Sequence, residues 1–241
     1  MMLVIAVHSA KGGTGKTCIA QNLACAYAVE GKNVCLLDMD LTAPSSFNAL
    51  FTMSKKWIND VLEGNAKISD VIVDTGDKLG TKGDFFVGYA NPDISGIRDV
   101  SSKDRRWQAR ALRTLMDFKK ELCCRGFDVV IMDTSPGVDY MSANVVVCSN
   151  YVIMVTKAGE YRGVNAIFEG IYRPLEKSCG VVENMNVNGT CKLALNGGIP
   201  LLATIPCMCE VSREGNKRLF SLEDPSHPFS GSILRIKNGI N

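Results

Sequence analysis

Short apolar runs recur along this chain, and several close on a carboxylate. They are Leu3-Val4-Ile5-Ala6-Val7, Asn33 to Asp38, Phe85 to Gly88, Asp128 to Asp133, Tyr151 to Val155, Gly180 to Glu183 and Pro200 to Ile205. Runs of this length, continuous rather than alternating, suit strands buried on both faces of a sheet. Between them the pattern changes to helical spacing. One helix is predicted from about Thr17 to Glu30, ended by Gly31. A short one runs from Trp57 to Leu62, closed by Gly64 and followed by the apolar stretch Val71-Ile72-Val73. A longer helix from about Asp104 to Cys124 carries Leu112, Leu115, Met116 and Phe118 on one side and ends at Gly126, and another spans Gly163 to Glu176. Repeated strand–helix alternation predicts an α/β fold, a doubly wound and mostly parallel sheet flanked by helices, with its ligand beyond the carboxyl ends of the strands. No internal repeat and no Pro/Gly/Ser-rich linker divides the chain, so residues 1–241 are read as one domain.

Composition narrows the function classes. With 241 residues, 46% hydrophobic and 22% charged, the chain can bury a large core. A formal charge of +2 supplies no long-range field for gathering nucleic acid, so nucleic acid is not an expected partner. The apolar runs fall far short of the roughly 20 residues that span a bilayer. The first residues lead straight into a strand with no basic n-region, h-region or cleavage site, and a cytoplasmic location is expected. Ten cysteines in such a chain are expected to be reduced, with Cys18, Cys25, Cys35 and Cys148 acting as small packing residues. There is no C-x-x-C pair, and His8 and His227 lie far apart, which argues against a zinc site of ordinary spacing.

The chemistry concentrates where the first strand meets the first helix. Ala10-Lys11-Gly12-Gly13-Thr14-Gly15-Lys16-Thr17 places a glycine loop between them. Glycines let successive N–H groups turn inward, and the helix adds its positive N-terminal end, so the loop can cradle polyphosphate. In such a loop Lys16 reaches the β- and γ-phosphates and the Thr17 hydroxyl binds Mg²⁺. The bland alternative is a glycine-rich turn without a ligand. Four hydrophobic residues ending in an aspartate, Val129 to Asp133, match a Walker B strand, whose carboxylate serves the same ion; alone, this would read equally well as a buried strand with a solubilising tip. A guanine-reading Asn/Thr-Lys-x-Asp motif is absent, because Thr156-Lys157-Ala158 is followed by Gly159, with Glu160 one residue late. Adenine is favoured.

The first glycine of the general P-loop pattern is Ala10 here, and a second lysine, Lys11, stands at the loop entrance. Lys-Gly-Gly-x-Gly-Lys-Thr resembles the deviant P-loop of the MinD/ParA/Mrp ATPases, and the resemblance runs from end to end of the chain. It implies a P-loop NTPase fold, slow Mg²⁺-dependent hydrolysis of ATP to ADP, an ATP-dependent homodimer and an unidentified activating protein partner. By the same resemblance Lys11 reaches the phosphates of the other subunit, and the segment Lys11, Gly12, Gly13, Thr14, Gly15, Lys16, Thr17 and Cys18 binds nucleotide. Asp40, in a segment like the family's switch I (Leu41-Thr42-Ala43-Pro44-Ser45), orients the attacking water and helps Thr17 and Asp133 hold the metal. Asp38 supports it. Thr134-Ser135-Pro136-Gly137 is similar to switch II. Asn184 and the backbone near Ile205-Pro206 correspond to the adenine pocket, although Asn184 also suits a simple turn.

The resemblance leaves the output open. Mrp-like proteins carry a cysteine pair after the segment matched by Val182-Glu183-Asn184-Met185, but only Cys191 follows here; Cys207-Met208-Cys209 offers a substitute pair for an iron–sulfur cluster shared across a dimer, or simple packing. Cys123-Cys124 is a weaker candidate. A MinD-like membrane contact calls for a C-terminal amphipathic helix. Phe229, Ile233, Ile236 and Ile240, with Arg235 and Lys237 between them, fit either that or a helix docked on the domain. Lys103, Arg105, Arg106, Arg110 and Arg113 form a basic run of the kind that is usually a solvated face.

Overall fold

The computed structural model describes residues 2–44, 50, 54–187, 198–215 and 217–240. Eight strands form one sheet: β1 (Leu3–His8), β2 (Val34–Met39), β3 (Ile72–Asp74), β4 (Phe85–Gly88), β5 (Val129–Thr134), β6 (Tyr151–Lys157), β7 (Ser178–Asn186) and β8 (Leu201–Pro206). Their spatial order is β3-β4-β2-β5-β1-β6-β7-β8. All neighbours are parallel except β3, which runs antiparallel to β4 at one edge.

Both faces of the sheet are buried, which is why the strands read as continuous apolar runs. Val4 and Ala6 of β1 belong to one core, and Ile5 and Val7 to the other. The helices that cover the faces are α1 (Lys16–Val29), α2 (Ile58–Leu62), α3 (Ile68–Val71), α4 (Gly76–Leu79), α5 (Ile94–Ser101), α6 (Arg105–Cys124), α7 (Tyr140–Cys148), α8 (Tyr161–Ile167), α9 (Cys209–Glu214), α10 (Phe220–Glu223) and α11 (Pro228–Ile240). Helix α1 lies between the sheet and α10 and α11, so it is apolar almost all round rather than amphipathic. It ends as expected at Gly31, whose φ is +94°; the Lys32 N–H returns to the Tyr27 carbonyl at 3.1 Å.

Several boundaries differ from the sequence reading. The helix expected over Gly163 to Glu176 starts at Tyr161, stops at Ile167 and continues only as a π-helical turn over Phe168–Tyr172. The buried stripe of α6 runs through Trp107, Ala111, Leu115, Phe118 and Leu122, so Met116, expected inside, is 40% exposed. The Val71-Ile72-Val73 stretch divides between α3 and β3. The apolar face of α11 is docked: Phe229, Ile233 and Ile236 pack into the core beside α1, which leaves none of them free for a lipid surface. Among the described residues no helix is long and apolar enough to cross a membrane. Ser45 and Cys191 lie outside the described residues.

Candidate functional site

The order of the strands puts β1 between β5 and β6, while the connection leaving β1 returns at β2 on the far side of β5. Successive connections diverge there, which opens a crevice at the carboxyl end of β1. The glycine loop sits in it. Gly13 and Gly15 adopt φ of +71° and +89°, conformations that suit glycine. At Gly15 the restriction is also steric, since a Cβ would stand 2.4 Å from Asn184 Nδ2.

Register brings the acids together. Asp38 of β2 and Val7 of β1 both pair with Asp133 of β5, so Asp133 lies level with Asp38 and beside the strand that feeds the loop. The Thr17 hydroxyl donates to Asp133 Oδ2 at 2.6 Å, while Asp133 Oδ1 is buried and accepts no hydrogen bond from a described residue. Burial pushes the Asp133 carboxyl up to about 7, with the nearby Asp40 charge adding to the rise; the Thr17 bond and Lys16 pull the other way. A buried carboxylate with an orphaned oxygen is costly to leave unpaired. Its neighbours are hydroxyl and carboxylate oxygens, the donor set of a hard divalent cation such as Mg²⁺. The residues therefore fit the ion. Lys16 is 7% exposed and makes no hydrogen bond or ion pair with a described residue.

Asp40 is half-buried on the cavity wall, where its Oδ1 accepts from the Thr42 hydroxyl and the Ala43 N–H, both at 2.9 Å. Asp38 supports that turn by accepting the Asp40 N–H at 3.1 Å. Opposite, the Thr134 hydroxyl donates to the Val7 carbonyl at 3.0 Å and the Gly137 N–H to the Ser9 carbonyl at 2.8 Å, stitching the segment after β5 to the strand before the loop. Lys11 is exposed at the rim and ion-pairs with Glu160 at 3.3 Å.

The cavity has a volume of about 620 Å³ and is lined by Gly12, Gly13, Gly15, Lys16, Thr17, Cys18 and Asp40 at one end. Asn184, Met185, Ile205, Pro206, Met208 and Arg213 line the other. Asn184 does more than close a turn: its Nδ2 donates to the Thr14 carbonyl at 2.8 Å, so its amide holds the glycine loop. A register shift between β7 and β8 and a positive φ of +56° at Met185 accompany that placement.

Sequence reasoning passed over Met185, Arg213, His8 as a support for Gly137, and Glu160 as the partner of Lys11. Only Glu160 had left a signal, as the acid one residue beyond the place of a guanine reader. Cys18, Cys25, Cys35 and Cys148 are buried with thiols pushed up by burial, in keeping with packing. Cys207 and Cys209 are exposed, and no third His, Cys, Asp or Glu joins them in a metal-holding group among the described residues. The described residues of one chain therefore offer no complete cluster site there.

Comparison with known proteins places this geometry. The AAA_31 family, described as an AAA domain, matches residues 2–179. The antiactivator FleN of Pseudomonas aeruginosa is 32% identical over 152 residues, 63% of this chain and 49% of FleN. The chain thus spans about half the length of that relative, and less of two uncharacterised ATP-binding proteins of Methanocaldococcus jannaschii. An iron–sulfur cluster carrier protein of Pseudomonas fragi is 25% identical over 260 residues, covering 94% of this chain and 81% of the carrier. Among solved structures, the septum site-determining protein MinD of Pyrococcus horikoshii, complexed with Mg-ADP, superposes with a TM-score of 0.79 at 22% identity, covering 100% of this chain and 96% of MinD. MinD of Aquifex aeolicus, in a complex with MinC, gives 0.76 at 20% identity, over 99% of this chain and 95% of MinD. The chain belongs to the AAA_31 family, within the MinD/ParA group of P-loop ATPases.

Proposed function

We propose that this chain is a single-domain, Mg²⁺-dependent ATPase that works as a switch, dimerising around ATP and signalling to a protein partner. The observation that carries the reading is the Thr17–Asp133 pair at the mouth of the glycine loop, with a second Asp133 oxygen buried and unbonded. Backbone N–H groups from Gly12 to Cys18 and the Lys16 ammonium would hold the phosphates. Asn184 and Pro206 would bound the adenine. Thr17, Asp133 and Asp40 would hold Mg²⁺, which when bound neutralises charge on the β- and γ-phosphates. Asp40, fixed by its bonds to Thr42 and Ala43, would position the attacking water; positioning and charge are most of what phosphoryl transfer asks of a protein. Lys11, which among the described residues is tethered by Glu160, would be released to a second subunit. A cytoplasmic location suits this role.

The test is size by light scattering with and without ATP and Mg²⁺, on the wild type, Asp40→Ala and Lys11→Ala chains. An ATP-dependent dimer that is lost with Lys11 and persists without turnover in Asp40→Ala supports the switch. A size indifferent to ATP in all three sinks it.

The similarity to the iron–sulfur carrier over 94% of the chain supports a second reading, a nucleotide-gated cluster carrier with Cys207 and Cys209 from two subunits as thiolates. Visible absorption after anaerobic reconstitution, abolished by Cys207→Ser with Cys209→Ser, would favour it. Absence of that absorption removes it.

A further inference from the structure

Along β1, Val4, Ala6 and His8 alternate onto one face of the sheet. Val4 and Ala6 belong to the apolar core there, and His8 is as deeply buried as they are, at 1% exposed. An apolar side chain would close that face without the cost of taking an imidazole out of water. The imidazole recovers part of that cost through two partners, the Gly137 carbonyl at 2.7 Å from Nε2 and the Tyr172 hydroxyl at 2.5 Å from Nδ1.

Tyr172 reaches it through a break in helical regularity. Val164 and Ile167 form the buried face of α8, and an unbroken α-helix would return Ile171 to that face. The π turn over Phe168–Tyr172, marked by the Arg173 N–H on the Phe168 carbonyl at 2.9 Å, carries one extra residue and returns Tyr172 instead. Tyr172 is 1% exposed and Ile171 stays partly exposed. His8 is level with Met154 of β6, and the Tyr172 hydroxyl lies over both, 3.9 Å from the Met154 sulfur. A buried histidine and a π turn each oppose the regular fold, and both serve one contact. Such local departures concentrate at functional sites.

What the contact holds is the segment after β5. Gly137, at φ +79°, is fastened on both sides: its N–H donates to the Ser9 carbonyl at 2.8 Å and its carbonyl accepts from His8. The Ser142 hydroxyl lies farther from that carbonyl, at 3.2 Å, and nearer the Asp139 carbonyl, at 3.0 Å. Pro136, one residue before, lines the cavity, and its Cγ would be 3.8 Å from a Cβ on Gly12 of the glycine loop.

We propose that His8 is a positioning residue: backed by Tyr172, it latches the Gly137 peptide and so holds the Pro136 wall of the cavity against the glycine loop. Tyr172 sets the tautomer. Its hydroxyl donates to Nδ1, which keeps the ring proton on Nε2, facing the Gly137 carbonyl; without it the proton can move to Nδ1 and leave an acceptor facing an acceptor. The consequence for turnover rests on the ATPase reading above. Pro136 lies beside Gly12 at the phosphate end, whereas Asn184 and Pro206 bound the other end, so the latch acts on kcat and leaves KM for ATP nearly unchanged.

Two measurements on the full chain test this, with wild type, His8→Ala, His8→Gln and Tyr172→Phe, each below its own melting temperature. The first is hydrogen–deuterium exchange without nucleotide, read on peptides spanning Ser135–Asp139 and, as a control, on α11. Exchange at Ser135–Asp139 is expected to speed up about tenfold in His8→Ala and several-fold in Tyr172→Phe. His8→Gln, whose amide can still donate to the Gly137 carbonyl, is expected to stay near wild type, and α11 is expected not to change. The second is steady-state ATP hydrolysis, in which kcat is expected to fall in the same order with KM within about twofold. Exchange indifferent to His8→Ala and Tyr172→Phe overturns the latch, as does an equal rise in α11 or a failure of His8→Gln to preserve protection. Faster exchange with undiminished kcat overturns the positioning role. A wild type that turns over no ATP yet shows the expected exchange pattern supports the latch and removes the ATPase reading instead.

Discussion

His8 Nε2 stands 2.7 Å from the Gly137 carbonyl oxygen, while its Nδ1 stands 2.5 Å from the Tyr172 hydroxyl. A carbonyl can only accept, so the ring proton sits on Nε2 and the tyrosine donates to Nδ1. One buried imidazole thus ties the end of β1 to the segment after β5 and to the π-helical turn following α8.

Burial is the largest cause that lowers the His8 pKa below its ordinary 6.5, and Lys16 adds to it; the Gly137 bond and Asp139 oppose. The unfolded chain therefore takes the proton first. Stability is constant above about 6.5 and falls as pH drops below it, towards the folded value. Melting temperature measured across this range should show the decline in wild type and a shallower one in His8→Ala. That variant should also lose about 1–3 kcal/mol at neutral pH by stranding the Tyr172 hydroxyl. An unchanged acid slope would remove His8 as its source.

Asp133→Asn should trade function for stability. Removing a buried charge with an unbonded oxygen should raise the melting temperature in metal-free buffer by about 2–4 °C, the equivalent of about 1 kcal/mol. Mg²⁺-dependent ATP hydrolysis should fall below detection. A variant that keeps its turnover would contradict the placement of the ion.

Gly15 and Asn184 should behave as a coupled pair. Gly15→Ala meets both a clash and an unfavourable φ, and should abolish nucleotide binding in a calorimetric titration. Asn184→Ala releases the Thr14 carbonyl and should weaken binding about tenfold, roughly 1.4 kcal/mol. The double variant should recover part of the stability lost in Gly15→Ala, because only the clash is relieved. Purely additive effects on stability would show that the contact does not matter.

Ile233→Ala tests the docked C-terminal helix. A fully buried isoleucine packed beside α1 should cost roughly 2–5 kcal/mol in chemical denaturation. A loss below about 1 kcal/mol would mean that α11 leaves the core readily, and its apolar face would again be available to a membrane.

Much of this protein was legible in the order of its residues because the physics is local. Continuous apolar runs need two covered faces, which makes a doubly wound sheet. The glycine loop, Lys16 and Thr17 sit within one strand–loop–helix unit, and Asp133 announces itself at the tip of its own strand. The tertiary structure decided what depends on residues remote in sequence. Register set Asp133 level with Asp38 and in reach of Thr17. The turn of β7 at Met185 sent Asn184 to the loop's carbonyl, 170 positions away, and packing against α1 claimed the face of α11 that periodicity alone could equally have given to lipid. Amphipathic spacing states that a face must be covered; only the assembled neighbours state by what.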